Sequence, residues 1–154
     1  MVRPVAFTMK ISIKKFKELT HRELHDLFQL RSEVFVVEQD CVYQDIDGRD
    51  KNALHVLCVK NEKLIAYARC LPPDGPCAQA AIGRVVVVAT ARKQGYGHNI
   101  MEVAIGAIKN TFGTNSIKLS AQTYLVAFYE KHGFKALGEQ YLEDGIPHIA
   151  MGRS

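Results

Sequence analysis

Ile11, Ile13 and Phe16 lie among Lys10, Lys14 and Lys15, an alternation that predicts a first strand with one wet face. Thr20-His21-Arg22-Glu23 then matches the capping box T-x-x-E, with Leu19 and Leu24 spaced for a hydrophobic staple. Leu24, Leu27, Phe28, Val34 and Phe35 recur at helical spacing, so a helix is predicted from 21 into the middle thirties. Residues 39–52 are polar and acidic, with Gly48 as a turn. Ala53 to Lys60 and Leu64 to Leu71 read as two strands joined at Asn61-Glu62, a hairpin. Pro72-Pro73-Asp74-Gly75-Pro76 breaks the pattern.

Ala80 to Ala89 contains Val85-Val86-Val87-Val88, apolar on both faces, which predicts a central strand covered on both sides. After Arg92–Gly97, Ile100, Met101, Ala104, Ile105 and Ile108 mark a second helix ending near Gly113. Ile117 and Leu119 alternate with polar neighbours in another strand. Thr123 starts a short helix ending at Gly133, and Phe134–Tyr141 and Ile146–Met151 form two last strands around Asp144-Gly145. The order is strand, helix, three strands, helix, strand, helix, two strands. Hairpins together with helical crossovers imply an α+β fold, with a mixed, mostly antiparallel sheet and helices on both faces.

Length and composition add bounds. At 154 residues the chain suits one domain, read as 10–154 behind a tail of residues 1–9. The net charge of +4 fits an anionic partner without requiring one. The four cysteines (Cys41, Cys58, Cys70 and Cys77) form no C-x-x-C pair, and no His/Cys cluster has zinc spacing, so no metal is expected. Cys58 and Cys70 read as small core residues. No window reaches the ~20 apolar residues of a membrane helix, and no signal peptide is recognisable. The expectation is a cytoplasmic protein with reduced thiols and no membrane partner. Without an RNP-like motif, zinc finger or helix-turn-helix, nucleic acid is not an expected partner either.

The stretch from Ile82 to Met101 carries the chemistry. A buried strand feeds a short loop, and Gly95 and Gly97 open a helix. A helix's first turn offers unpaired N–H groups at the positive end of its dipole. Glycines let a pyrophosphate approach that backbone, and Arg92 and Lys93 add positive charge. The loop lacks the Walker pattern and G-x-G-x-x-G, which argues against nucleotide triphosphatases and dinucleotide enzymes.

Arg92-x-x-Gly95-x-Gly97 resembles the [QR]-x-x-G-x-[GA] signature of the GCN5-related (GNAT) acetyltransferases. Leu119-Ser120-Ala121-Gln122 and Ala127–Phe134 are similar to the family's later motif, in which a tyrosine precedes a Gly-Phe pair. Leu30-Arg31, Val34–Gln39, Tyr43–Asp47 and Tyr141–His148 resemble its ElaA-like branch in particular. Ala89 departs from the proline common before the signature, and Lys93-Gln94 from the usual pair. The resemblance covers residues 10–152 and implies the GNAT fold and acetyl-coenzyme A as co-substrate.

The resemblance also implies roles. Backbone groups of the Val85-Val86-Val87 strand would pair with the pantetheine arm. N–H groups across Arg92, Lys93, Gln94, Gly95, Tyr96 and Gly97 would hold the pyrophosphate, and Gln122 would touch the cofactor. Tyr129 is the expected acid for the leaving thiolate, since a phenol of reference pKa ~10 can protonate a thiolate of ~8.5. A backbone N–H near Val87 would meet the oxyanion.

The base for an amine acceptor is open among Glu38, Asp45, Asp47, Glu143, Asp144, His55 and His148, with Glu38 first. Asp45, Glu143 and His148 are the expected acceptor contacts, the alternative being a solvated acidic loop. The expected function is acetyl transfer to a small acceptor, a primary amine, in a ternary complex. The competing reading is a non-catalytic acyl-CoA-binding module of the same fold. A homodimer is the expected assembly, such pairs being the commonest oligomer.

Overall fold

Strand β1 (Met9–Lys15) leads through a single 3-10 turn into helix α1 (His21–Arg31). Thr20 caps α1 as its motif predicts: Glu23 N–H donates to Thr20 Oγ1 at 3.1 Å, and Thr20 N–H to Glu23 Oε1 at 2.9 Å. The helix does not stop in the middle thirties in α form. It widens into a π-helical segment, Ser32–Glu38, that keeps Val34 buried. Such segments cluster at functional sites, and this one borders the cleft described below.

Strands β2 (Leu54–Lys60), β3 (Lys63–Leu71) and β4 (Ala80–Val87) follow, then helix α2 (Tyr96–Phe112), β5 (Ile117–Gln122), α3 (Val126–Glu130), β6 (Lys135–Glu143) and β7 (Ile146–Arg153). The structure, a computed structural model, describes residues 9–75 and 78–154. Cys77 and most of the proposed tail lie outside them; Met9, assigned to that tail, pairs with Lys60 in β1.

Among the described residues the sheet has the order β1-β2-β3-β4-β5-β7-β6. Every neighbouring pair is antiparallel except β4 and β5, which are parallel. Side chains alternate between two layers. Val56, Cys58, Ala66 and Ala68 share a core with Ile100, Met101, Ala104 and Ile108 of α2. Leu57, Tyr67 and Val86 pack instead with Leu27, Leu30 and Val34 of α1 and its π-helical extension. Val86 thus faces α1 while Val85 and Val87 face the α2 core, the two-sided cover that the valine run predicts. Each such fully buried aliphatic side chain contributes about 1.5–3 kcal/mol. No helix among the described residues is long and apolar enough to cross a membrane.

Residues 39–52 depart most from their sequence pattern. Instead of a solvated acidic loop, they carry the partners of three arginines. Arg31, with no exposed surface, donates from Nε to Asp45 Oδ2 at 2.9 Å and from Nη1 to Asp50 Oδ1 at 2.6 Å. Arg69 of β3 bonds both oxygens of Asp47, at 2.8 and 3.0 Å. Arg84 of β4 lies 2.8 Å from Asp45 Oδ1. His55, also buried, donates from Nε2 to the Asp50 carbonyl at 2.9 Å and accepts the Tyr67 hydroxyl at Nδ1, 2.6 Å. Burial pushes its pKa down, keeping it neutral in that role.

This cluster makes stability depend on acid. Burial alone would raise the carboxyl of Asp47, but the Arg69 bonds and the Arg49 N–H win and pull it from 3.8 to about 2. Asp50 is lowered likewise: burial opposes, and the bond to Arg31 prevails. The folded state therefore binds fewer protons than the unfolded one, and stability rises with pH in this window. What these carboxylates contribute is fully present above their ordinary value and is lost as pH falls through the folded one. The melting temperature should decline from pH 4 to about 2. Asp47→Asn should melt lower at neutral pH with a shallower acid decline. Equal acid slopes in calorimetry would contradict this account.

Candidate active site

Strand β4 pairs with β5 only at Ala80 with Ile117 and Ala81 with Lys118, after which the two diverge. The register of β4 against β3 also slips between Tyr67 and Arg69, where Arg84 adopts φ 51°. This is a β-bulge, which bends a strand and re-aims its side chains. The bent half of β4 stays paired with β3 and leaves its other edge open. Val88 N–H donates to Ile65 of β3 at 2.8 Å, so strand alternation turns the Val87 amide to the open side.

Two cavities fill the resulting cleft, of about 650 and 600 Å³. Both are bordered by Phe35, Gln39, Val85, Gln122, Leu125 and Tyr129, so they meet along one line.

The first cavity lies against the start of α2. Gly95 caps that helix at φ 85°, and Lys93 also has positive φ, at 65°. Nothing stands within 4 Å of a Cβ built on Gly95, whereas one on Gly97 would meet the Phe128 ring at 3.3 Å. The first turn of α2 borders the cavity, where its N–H groups have no partner within the helix, and glycine at 97 leaves room for the Phe128 ring. Arg92 reaches across from the loop. Its Nε donates to the Val87 carbonyl at 3.0 Å, and its Nη2 lies 2.8 Å from Glu38 Oε2. His98, on the first turn, is hydrogen-bonded to His132 across 2.8 Å and packs on Phe128. Burial, then the neighbouring His98, lowers the pKa of His132.

The second cavity lies over β5, β7 and β6. Cross-strand partners share a face, so Gln122 stands beside His148 and His148 beside Tyr141. Tyr141 stacks on the His148 ring at 6.2 Å and bonds Ser120 through its hydroxyl. His148 Nε2 lies 3.2 Å from Glu143 Oε2, and its Nδ1 lies 2.7 Å from the Ile146 carbonyl. Tyr43 forms the opposite wall, bonded to Asp45 at 3.1 Å and lying under the Arg84 guanidinium. Burial raises the Tyr43 phenol to about 12.

Tyr129 stands where the cavities meet. It is 7 % exposed, and burial, followed by the field of Tyr124, pushes its phenol up to about 12.

Of the residues expected at the cofactor, Val85, Val86, Val87, Arg92, Lys93, Gly95, Tyr96, Gly97 and Gln122 line the first cavity, while Gln94 does not. Glu143 and His148 come together in the second. Two expected positions turn out differently. Glu38 borders only the first cavity and is held by Arg92, away from the Glu143–His148 wall. Asp45 lines neither cavity, its oxygens taken by Arg31, Arg84 and Tyr43.

Sequence reasoning placed Arg84, Phe35, Ser120 and Tyr141 inside its motifs but gave none of them a role at the site. For Arg84 the trace is faint: a lone arginine before the valine run, with a second lone arginine, Arg69, in the preceding apolar strand.

A mostly antiparallel sheet that splays at one parallel pair, with a glycine-opened helix at the split, defines a class of acyl-CoA-binding transferases. The chain belongs to it: residues 17–154 match the family model of the acetyltransferase (GNAT) domain. It is 43% identical over 138 residues to the protein ElaA of Escherichia coli, covering 88% of this chain and 90% of that one. The crystal structure of that protein superposes with a TM-score of 0.90, covering 96% of this chain and 100% of that one. An acyl-CoA N-acyltransferase from Pseudomonas aeruginosa gives 0.88 at 44% identity, covering 94% and 99%.

Proposed function

We propose that this protein transfers the acetyl group of acetyl-coenzyme A to a primary amine by direct attack within a ternary complex. The observation that carries this reading is Tyr129 at the meeting line of two cavities, one bordered by a glycine-opened helix start and the other by polar side chains. The thioester would lie along the open edge of β4. The pyrophosphate would rest on the N–H groups of Tyr96 and Gly97, where the helix dipole favours negative charge. The Val87 N–H would meet the oxyanion.

A phenol held well above neutrality stays protonated and can give that proton to the departing thiolate. Glu38 is assigned to the cofactor side, where its pairing with Arg92 would position that guanidinium over the loop. The acceptor would enter between Tyr43 and the β7–β6 wall, aligned with the thioester by the cleft itself.

A melting experiment tests the cofactor. At a hundredfold excess over the dissociation constant, a ligand of the native state adds about 2.7 kcal/mol. For a chain of this size that is roughly 5–10 °C. Acetyl-coenzyme A should give such a shift and ATP and NAD should not. Gly97→Val, whose side chain would crowd Phe128 and the cradle, should lose most of it. No shift with the unaltered protein at saturating acetyl-coenzyme A would remove the reading altogether.

A further inference from the structure

His148 Nε2 and Glu143 Oε2 face each other across 3.2 Å, and the geometry points to His148 as the base that deprotonates a cationic amine docked on Glu143. This deepens the acyltransferase reading and rests on it. His148 is 7 % exposed, and its ring is fixed on both sides. Nδ1 lies 2.7 Å from the Ile146 carbonyl, which can only accept, so Nδ1 carries a hydrogen in every protonation state. Nε2 is then the nitrogen that gains and loses a proton, and it lies 3.2 Å from Glu143 Oε2.

With Nε2 protonated, the pair is an imidazolium–carboxylate ion pair. With Nε2 bare, its lone pair would face a carboxylate oxygen, an arrangement that favours a cation between them. An incoming ammonium is such a cation. Its charge takes the imidazolium's place beside Glu143 and leaves Nε2 free to accept. Two basic side chains border the same cavity, Arg84 and Lys118. Arg84 is engaged by Asp45 and Asp47 at 2.8 and 3.5 Å, while Lys118 sits farther down β5, at the closed end of the cleft. The stacked Tyr141 ring keeps the imidazole in plane.

The protons balance. The ammonium N–H passes to Nε2, and the neutral amine attacks the thioester carbonyl carbon. The C–S bond breaks, and the thiolate takes the Tyr129 proton. The new amide nitrogen gives its extra proton to the Tyr129 phenolate. His148 releases its own proton to water through Glu143, whose side chain is 49% exposed. The products are the amide, coenzyme A and one proton.

Two measurements test the inference. In the acceptor-free protein, the 15N spectrum of histidine-labelled material, assigned by loss of signal in His148→Gln, should show the neutral ring protonated at Nδ1. A neutral ring protonated at Nε2 would overturn the assignment, since that nitrogen could not accept. The second uses two amines of similar size, propylamine (mostly ammonium at neutral pH) and trifluoroethylamine (mostly neutral). His148→Gln should lower kcat/KM about a hundredfold for propylamine, the lower range for a lost general base, but only a few-fold for trifluoroethylamine. Equal losses for both, or no acetylation of either by the unaltered protein, would overturn it. Because acetyl-coenzyme A would still raise the melting temperature in those cases, failure here is separable from failure of the cofactor reading.

Discussion

Tyr129→Phe is expected to lower kcat by about a hundredfold or more at neutral pH, the range for loss of a positioned general acid, while acetyl-coenzyme A still raises the melting temperature as in the unaltered protein. The substitution removes one oxygen. It leaves the ring edge-on to Phe128 at 5.0 Å and to Phe134 at 6.2 Å, so the packing of α3 against β5 and β6 survives. Because the proton is needed only as the C–S bond breaks, kcat and kcat/KM should fall together. Two single-point assays read the result: thiol release under saturating cofactor, and thermal shift. Unchanged thiol release would take the acid role from Tyr129. Loss of the thermal shift would place it in ground-state binding instead.

The second large effect falls on stability. Arg31→Ala should cost about 3–5 kcal/mol, the size found when one partner of a buried ion pair is removed. For a chain of this length the melting temperature should drop by on the order of 10 °C. Asp45 would keep Arg84, and Asp50 would keep Arg69 at 3.3 Å, but each would lose a full-strength bond in a site closed to water. Burial opposes the charge of Arg31; the hydrogen bond to Asp50, then the fields of Tyr67, Asp45 and Asp50, more than offset it and raise the guanidinium's pKa.

A double variant separates pairing from packing. Arg31→Met with Asp50→Asn leaves fewer unpaired charges and should melt above Arg31→Ala. A single variant within a degree of the unaltered protein would show that the cluster contributes little. The second cavity should also be disturbed, since Tyr43 in its wall is held through Asp45. The glycine cradle, on other elements, should still bind cofactor.

The parts of the site legible in the sequence are those built by neighbours along the chain. The Thr20–Glu23 box, the glycine opening of α2 and the cap at Gly113 each depend on backbone groups within a few residues. Their geometry follows from local dihedral preferences and unpaired helix-end groups. The apolar periods of α1, α2 and β4 were equally plain, because one period matches one face. The Arg92–Gly97 loop could therefore be read as the glycine opening of a helix before any contact was known.

Charge was legible as composition but not as placement. Asp45, Asp47 and Asp50 sit in a polar stretch, and nothing within it distinguishes a solvated carboxylate from one facing Arg31 or Arg69. The difference lies in partners 14 to 22 positions away. Glu38 followed the same rule in reverse: its ion pair with Arg92 spans 54 positions. The π-helical turn after Arg31 likewise left no mark in the apolar spacing.

By itself, then, the sequence determined the order and type of the elements, the two covered faces of β4 and the glycine-opened helix start, because these rest on local backbone chemistry and side-chain period. Only the tertiary structure decided where the cleft opens, that Tyr129 stands at its dividing line, and that His148 meets Glu143 while Asp45 is buried among arginines. Those outcomes depend on the bulge at Arg84, the divergence of β4 from β5 after Ala81 and the register of β7 against β5 and β6. Register between strands distant in sequence is settled by the packing of the whole core, and no local pattern encodes it.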